Sequence, residues 1–306
     1  MGRVADLGLR ATSRIASVPP AIDVPAGRLV ELPGRGTTFL VDTGVPNEDA
    51  AGRPTLVLLH ALACTGLLCW YPTIAALRSR YRIVTFDQRW HGQGIRSAQF
   101  SLEDCADDAI AVADVLGLDR VILAGFSMGS LVTQVAWHRH PDRVNGAIMC
   151  ASAARFAPPK REPALRRVST RLASAAQRRL LSLPPTVLTD ALASAAAVST
   201  DDHNRWALRQ LRTTPASAVS GAAAVISRFD STAWIGQMNI PAAVVVTARD
   251  RVIVPERQRW LARQIPGATV YEIDAGHSSV VMNVEQFIPA LQAACASVSA
   301  RISVPR

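Results

Sequence analysis

The feature of this 306-residue chain that most constrains its fold is a series of short apolar, β-branched runs separated by helical segments. TLVLLH (55–60) and RIVTFD (82–87) are apolar without alternation, the pattern of strands covered on both faces. VILAGF (121–126), RVNGAIMC (143–150), AAVVVTA (242–248) and ATVYEI (268–273) read as further strands. Helical spacing fills the gaps: a stretch around Tyr71–Ser79, one opened by the capping box Ser101-Leu-Glu-Asp104 and ending near Gly117, then Gly129–His140, PERQRWLARQI, and Asn283–Ser299. Strands alternating with helices predict an α/β fold with a mostly parallel central sheet and right-handed crossovers. RLVEL and TTFLVD ahead of it read as a hairpin turning at Pro33-Gly34-Arg35-Gly36.

From Ala151 to about Trp234 the strand signal stops, leaving Ala- and Arg-rich helical segments broken by Pro158-Pro159, Pro184-Pro185 and Pro215. The predicted organisation is therefore a basic extension (1–26), a core built from 27–151 and 236–306, and a helical cap insertion (152–235). A hydrophobic content of 49% supports a large core and excludes a disordered chain.

The net charge of +9 is almost all arginine. A basic surface attracts phosphate, but no zinc-finger spacing, RNP-like aromatic pattern or sustained heptad accompanies it, so no nucleic-acid partner is expected. Residues 160–185 read as a basic amphipathic helix, with Leu165, Val168, Leu172, Leu180 and Leu183 on the apolar side. Such a helix ordinarily packs one face on its own domain; peripheral contact with an anionic membrane is the alternative. No apolar run is long enough to span a bilayer, and the N-terminal segment has neither a signal-peptide core nor the myristoylation pattern. Five cysteines with no CxxC pair fit reduced thiols and a cytoplasmic protein. No Cys/His cluster has metal-ligand spacing; no metal and no cofactor are expected.

VILAGF runs straight into Ser-Met-Gly-Ser, so a serine stands between Gly125 and Gly129 where a buried strand turns at once into a helix. Side chains at the glycines would collide with the neighbouring strand and helix. The turn lifts the Ser127 hydroxyl above the carboxyl edge of the sheet and leaves the Met128 N–H at a helix N-terminus, where it can face a developing negative charge. A serine hydroxyl needs a base. Among six histidines, His138 and His140 fall at the exposed end of the next helix, and His203 lies in the insertion, where it is read as solvated. His277, in the loop after the last strand, opens on the same edge as Ser127 and is the predicted base. Asp250, just past the preceding strand, is the predicted partner of its imidazole. Asp274 is a rival read as shaping the histidine loop, and Asp230 and Asp201 in the insertion are weaker candidates. The chain order Ser127, Asp250, His277 is the one expected of hydrolases with their nucleophile on such a turn.

With GFSMG, four further segments make the sequence resemble the α/β-hydrolase superfamily, in its serine esterase/lipase-like branch with a helical cap. HALACTGLLCW (60–70) is similar to the family's oxyanion loop, DQRWHGQG (87–94) to its Asp-x-Arg-Gly-His-Gly segment, ARDRVIVP (248–255) to the acid-bearing stretch, and AGHSSVVMNVEQF (275–287) to the histidine loop. The resemblance implies that the Leu62 backbone N–H is the second oxyanion donor beside Met128, and that His60 and His91 are structural. It departs from the family at Ala61 and Trp90, which replace glycines. Cys64, beside that loop, has no partner that suggests a catalytic thiol. The expected activity is cleavage of a carboxylic ester with an apolar, lipid-like acyl group through an acyl-enzyme. Thioesterase, perhydrolase, carbon–carbon hydrolase or acyltransferase chemistry on the same residues is the alternative, and a catalytically silent ligand-binding protein the non-enzyme reading.

Overall fold

A computed structural model of the chain describes residues 25–44, 53–156 and 202–302. Among them one sheet is built from β1 (Arg28–Leu32), β2 (Gly36–Asp42), β3 (Thr55–Leu59), β4 (Arg82–Phe86), β5 (Val121–Phe126), β6 (Val144–Cys150), β7 (Ala242–Thr247) and β8 (Thr269–Ile273). Its spatial order is β1-β2-β4-β3-β5-β6-β7-β8. β1 pairs antiparallel with β2 around the Pro33–Arg35 turn, β2 pairs antiparallel with β4, and every later pairing is parallel.

The unalternating apolar runs are explained by two cores, one on each face. Along β3, Val57 and Leu59 join one cluster of buried side chains while Leu56 and Leu58 join the other; along β7, Val244 and Val246 are separated in the same way from Ala243 and Val245. Each such leucine contributes about 2 kcal/mol when fully buried. Helices α1 (Gly66–Leu77), α2 (Leu102–Val115), α3 (Met128–Arg139), α4 (Asp202–Arg212), α5 (Ala216–Ile226), α6 (Pro255–Gln264), α7 (Ser279–Met282) and α8 (Val284–Arg301) surround the sheet. α1 and α8 close one face, and α2, α3 and α6 the other.

Local signals account for the helix ends. Ser101 caps α2 by accepting from the Asp104 N–H at 2.9 Å, and its own hydroxyl donates to the Asp104 carboxylate at 2.8 Å. α1 begins five residues before the predicted Tyr71, because Thr65 supplies an N-cap to the Leu68 N–H at 3.1 Å. Pro72 consequently lies within that helix.

Between β6 and β7 the described residues contain α4 and α5, and one isolated bridge, Arg155↔Asp230, ties the start of this segment to its end. The basic helix expected over 160–185, and nearly all of the extension 1–26, lie outside the described residues. α4 and α5 dock on the loops after β3 and β4: Thr65 Oγ1 donates to Gln210 Oε1 at 3.0 Å, and the Gly92 N–H donates to Thr214 Oγ1 at 3.0 Å. Trp206 meets Tyr71 edge to face at 5.0 Å. Trp90 adopts φ 68°, a left-handed conformation unusual for so bulky a residue. Its Nε1 donates to the Ser97 carbonyl at 2.9 Å, and its ring fills the notch beside Gly221, where a Cβ would lie 2.7 Å from the ring. Among the described residues no helix is long and apolar enough to cross a membrane.

Candidate active site

The chain runs from β3 out to β4 and then returns to lay β5 on the other side of β3. In an open parallel sheet, the crevice at the carboxyl ends of neighbouring strands whose onward connections leave in opposite directions is where ligands bind. The ladder aligns Leu59 of β3 with Gly125 of β5, so the loop starting at His60 and the turn at Ser127 emerge side by side.

The turn is as tight as the sequence suggests. A Cβ on Gly125 would lie 2.2 Å from the Gly129 backbone, and one on Gly129 would lie 2.0 Å from the Leu59 carbonyl. The first glycine thus admits α3 and the second admits β3. Ser127 itself is held at φ 53°, ψ −113°, a region normally left to glycine that costs on the order of 1–3 kcal/mol. Its N–H donates to the Cys150 carbonyl at 2.9 Å. The buried Ser130 hydroxyl accepts from the Cys150 N–H at 3.0 Å and lies 2.7 Å from the Gly125 carbonyl, clamping the turn to β6.

Three of the predicted side chains meet here. His277 Nε2 lies 2.9 Å from Ser127 Oγ, and His277 Nδ1 lies 2.7 Å from Asp250 Oδ2. The Asp250 side chain is wholly buried and that of His277 is 22% exposed, so the relay leads from the interior to the crevice. Burial pushes the Asp250 carboxyl up, but the hydrogen bond and charge of His277, the Ile253 N–H and the Thr247 hydroxyl outweigh it and hold the group below its ordinary value. The ring of Phe126 lies 5.7 Å from that of His277 and backs it. Such a chain can withdraw a proton from the serine hydroxyl, store it on the imidazole beside a fixed anion, and return it.

The other candidates are elsewhere. Asp274 forms an ion pair with Arg249, and Asp230 accepts from the Thr232 N–H and hydroxyl. Asp201 lies outside the described residues. His140 binds Asp107, and His138 stacks on Trp234 at 4.3 Å. His203, read as solvated, is half-buried on α4.

Met128 opens α3, so its N–H has no intrahelical acceptor. Leu62 is half-buried against the core that contains Met128. The left-handed residue of the Leu62 loop is Ala63, at φ 61°, whereas Ala61 lies outside that region and needs no glycine. His60 and His91 are fully buried and face each other at 5.2 Å. Burial lowers His60 to about 3 and His91 to about 4, which fixes both as neutral rings; His60 Nε2 accepts from the Gln88 N–H at 2.8 Å. The neighbouring Cys69 and burial hold the Cys64 thiol far above its ordinary value, so it carries no thiolate. Among the described residues no group of three His, Cys, Asp or Glu side chains is placed to hold a metal ion.

Sequence reasoning missed Thr247 and Gln258, both fully buried around Asp250. A threonine ending a strand and a glutamine in the arginine-rich PERQRWLARQ carry no mark that separates them from surface residues.

A family model of the α/β hydrolase fold matches residues 54–283, well over half of the chain. The chain belongs to the α/β-hydrolase family. Relatives of this α/β hydrolase include 3-oxoadipate enol-lactonase 1 of Acinetobacter baylyi, 25% identical over 83% of this chain and 91% of that one. A pimeloyl-[acyl-carrier protein] methyl ester esterase of Chromobacterium violaceum is 28% identical over 80% of this chain and 95% of its own. Among solved structures, the enol-lactonase of Burkholderia xenovorans superposes with a TM-score of 0.67 at 24% identity, covering 88% of this α/β hydrolase and all of that chain, a likeness of fold.

Proposed function

We propose that the chain is a serine hydrolase of carboxylic esters working through an acyl-enzyme. The observation that carries this reading is the continuous relay Ser127 Oγ–His277–Asp250, at 2.9 and 2.7 Å, at the carboxyl edge of the sheet beyond the paired ends of β3 and β5. In the mechanism, Ser127 Oγ attacks the ester carbonyl while His277 Nε2 takes its proton, and Asp250 stabilises the imidazolium through Nδ1–H. The N–H groups of Leu62 and Met128 receive the oxyanion of the tetrahedral intermediate, an assignment supported by the ladder register that sets their loops side by side. His277 then gives its proton to the leaving alkoxide. Water enters, loses a proton to His277 and attacks the acyl carbonyl; the Ser127–acyl bond then breaks, His277 returns the proton to Ser127 Oγ, and the acid leaves.

The segment 152–235 is read as a helical cap over this edge, with 27–151 and 236–306 forming the core. The small apolar side chains of α5 favour an apolar acyl group, and an enol-lactonase and a methyl ester esterase among the relatives support ester-type bonds, lactones included. The test is a chain-length series of p-nitrophenyl esters beside lactone and acyl-CoA substrates, with wild type and Ser127→Ala. The wild type is expected to turn over oxoesters and to label with a fluorophosphonate at Ser127, and the variant to do neither. Ester turnover unchanged in Ser127→Ala would remove the serine from the mechanism.

A further inference from the structure

We infer that Thr247 and Gln258 are positioning residues for the acid of the relay: they fix the Asp250 carboxylate in orientation and share its negative charge, and thereby set how tightly it holds the protonated His277. This rests on the serine-hydrolase reading above. Every acceptor site of Asp250 is engaged. Its Oδ1 accepts the N–H groups of Val252 at 2.8 Å and Ile253 at 2.9 Å. Its Oδ2 faces three donors: His277 Nδ1 at 2.7 Å, the Thr247 hydroxyl at 2.8 Å and Gln258 Nε2 at 3.2 Å. The backbone pair anchors one oxygen, and the two side chains aim the other at the imidazole.

Gln258 organises this group from α6. Its Oε1 accepts the Thr247 N–H at 3.0 Å. One Nε2 hydrogen goes to the Ile253 carbonyl at 2.7 Å, and the other points between Thr247 Oγ1 at 2.9 Å and the carboxylate. A flipped amide would set its oxygen against a carbonyl and an anion, so the network dictates the orientation. The Thr247 hydroxyl has a single hydrogen. Two acceptors lie within its reach, Asp250 Oδ2 at 2.8 Å and Gln258 Oε1 at 3.2 Å, and the shorter contact, to the anion, takes the hydrogen. Burying a glutamine is costly unless each of its polar atoms is paired, and here they are.

The other ionisable groups around the acid are spoken for. Arg249 and Asp274, on the flanking loops, neutralise one another, and on α6 Arg259 pairs with Glu272 and approaches Glu256. Arg251 is exposed. Oδ2 therefore divides its charge among His277, Thr247 and Gln258. Removing the Thr247 hydroxyl concentrates that charge on the imidazole side.

The experiment compares Thr247→Val, Thr247→Ser and Gln258→Leu with wild type in kcat, KM, thermal midpoint and the pH profile of kcat/KM, with Ser127→Ala as control. Thr247→Val and Gln258→Leu are expected to lose about tenfold in kcat at unchanged KM, the scale of one hydrogen bond to a charged group. Their acidic limb should move upward by about half a pH unit. Thr247→Ser, which keeps the hydroxyl, should restore both. A lower thermal midpoint with wild-type kcat and an unmoved acidic limb in Thr247→Val would overturn the inference, and that near-isosteric variant decides the matter even where Gln258→Leu does not fold. If Ser127→Ala is inert and Thr247→Val behaves as wild type, only this inference falls; if Ser127→Ala keeps its turnover, the serine-hydrolase reading falls.

Discussion

Replacing Gly221 with alanine should change the stability of the protein in opposite directions depending on what stands at position 90. In the native chain the new Cβ would lie 2.7 Å from Trp90 Cζ3, at least 0.7 Å inside the 3.4 Å at which ordinary contact begins. The ring cannot swing aside freely, because its Nε1 donates to the Ser97 carbonyl and it packs on the ring of Phe100 at 5.5 Å. Overpacking of this kind costs about 1–3 kcal/mol. Alanine within a helix gains about 1 kcal/mol over glycine, so the net loss is about 0–2 kcal/mol. In a Trp90→Gly background the obstacle is gone, and the same substitution should stabilise by about 1 kcal/mol. The coupling read from the double-mutant cycle is then about 1–3 kcal/mol. Urea unfolding of the four proteins measures it directly. Equal effects of Gly221→Ala in both backgrounds would refute the notion that the indole seats α5 on the core.

Asp250→Asn should keep the fold while lowering kcat about a thousandfold or more, since an amide cannot stabilise the imidazolium; kcat near wild type would reject Asp250 as the acid. Gly129→Ala places a Cβ 2.0 Å from the Leu59 carbonyl, where backbone has to move, and a loss of about 4 kcal/mol or more is expected in unfolding experiments. His60 and His91 are lowered to about 3 and 4 in the folded protein, so they stay neutral there but take up protons on unfolding once the pH falls below about 6.5. Each therefore removes about 1.4 kcal/mol of stability per pH unit as pH falls from 6.5 toward 4. His91→Phe should flatten the urea-derived stability slope over that window by this amount, and an unchanged slope would contradict the burial of a neutral ring.

The strands and the serine turn were legible because local physics dictates them. Burial on both faces removes alternation from β3 and β7, and a turn with φ 53° at Ser127 needs glycines where backbone approaches backbone. His277 was legible only through the argument that all such loops open on one edge. It follows β8, three ladder spacings or about 14 Å from β5, and the Asp274–Ser278 loop must carry it back across two strands. Nothing local announces that return. Thr247 and Gln258 were illegible for a different reason: polar residues are read as exposed, and only the fold reveals that these two face a buried carboxylate. The early start of α1 depended on Thr65 serving as cap, a role that the apolar pattern after it masked.

The left-handed backbone at residue 127 also limits which nucleophiles evolution can try there. A branched Cβ is poorly tolerated at positive φ, so threonine is barred even though its hydroxyl could perform the same attack, while unbranched cysteine and aspartate fit the same bend. Any drift of this scaffold toward new chemistry by exchange of its central residue would thus pass through a thiol or a carboxylate rather than a secondary alcohol.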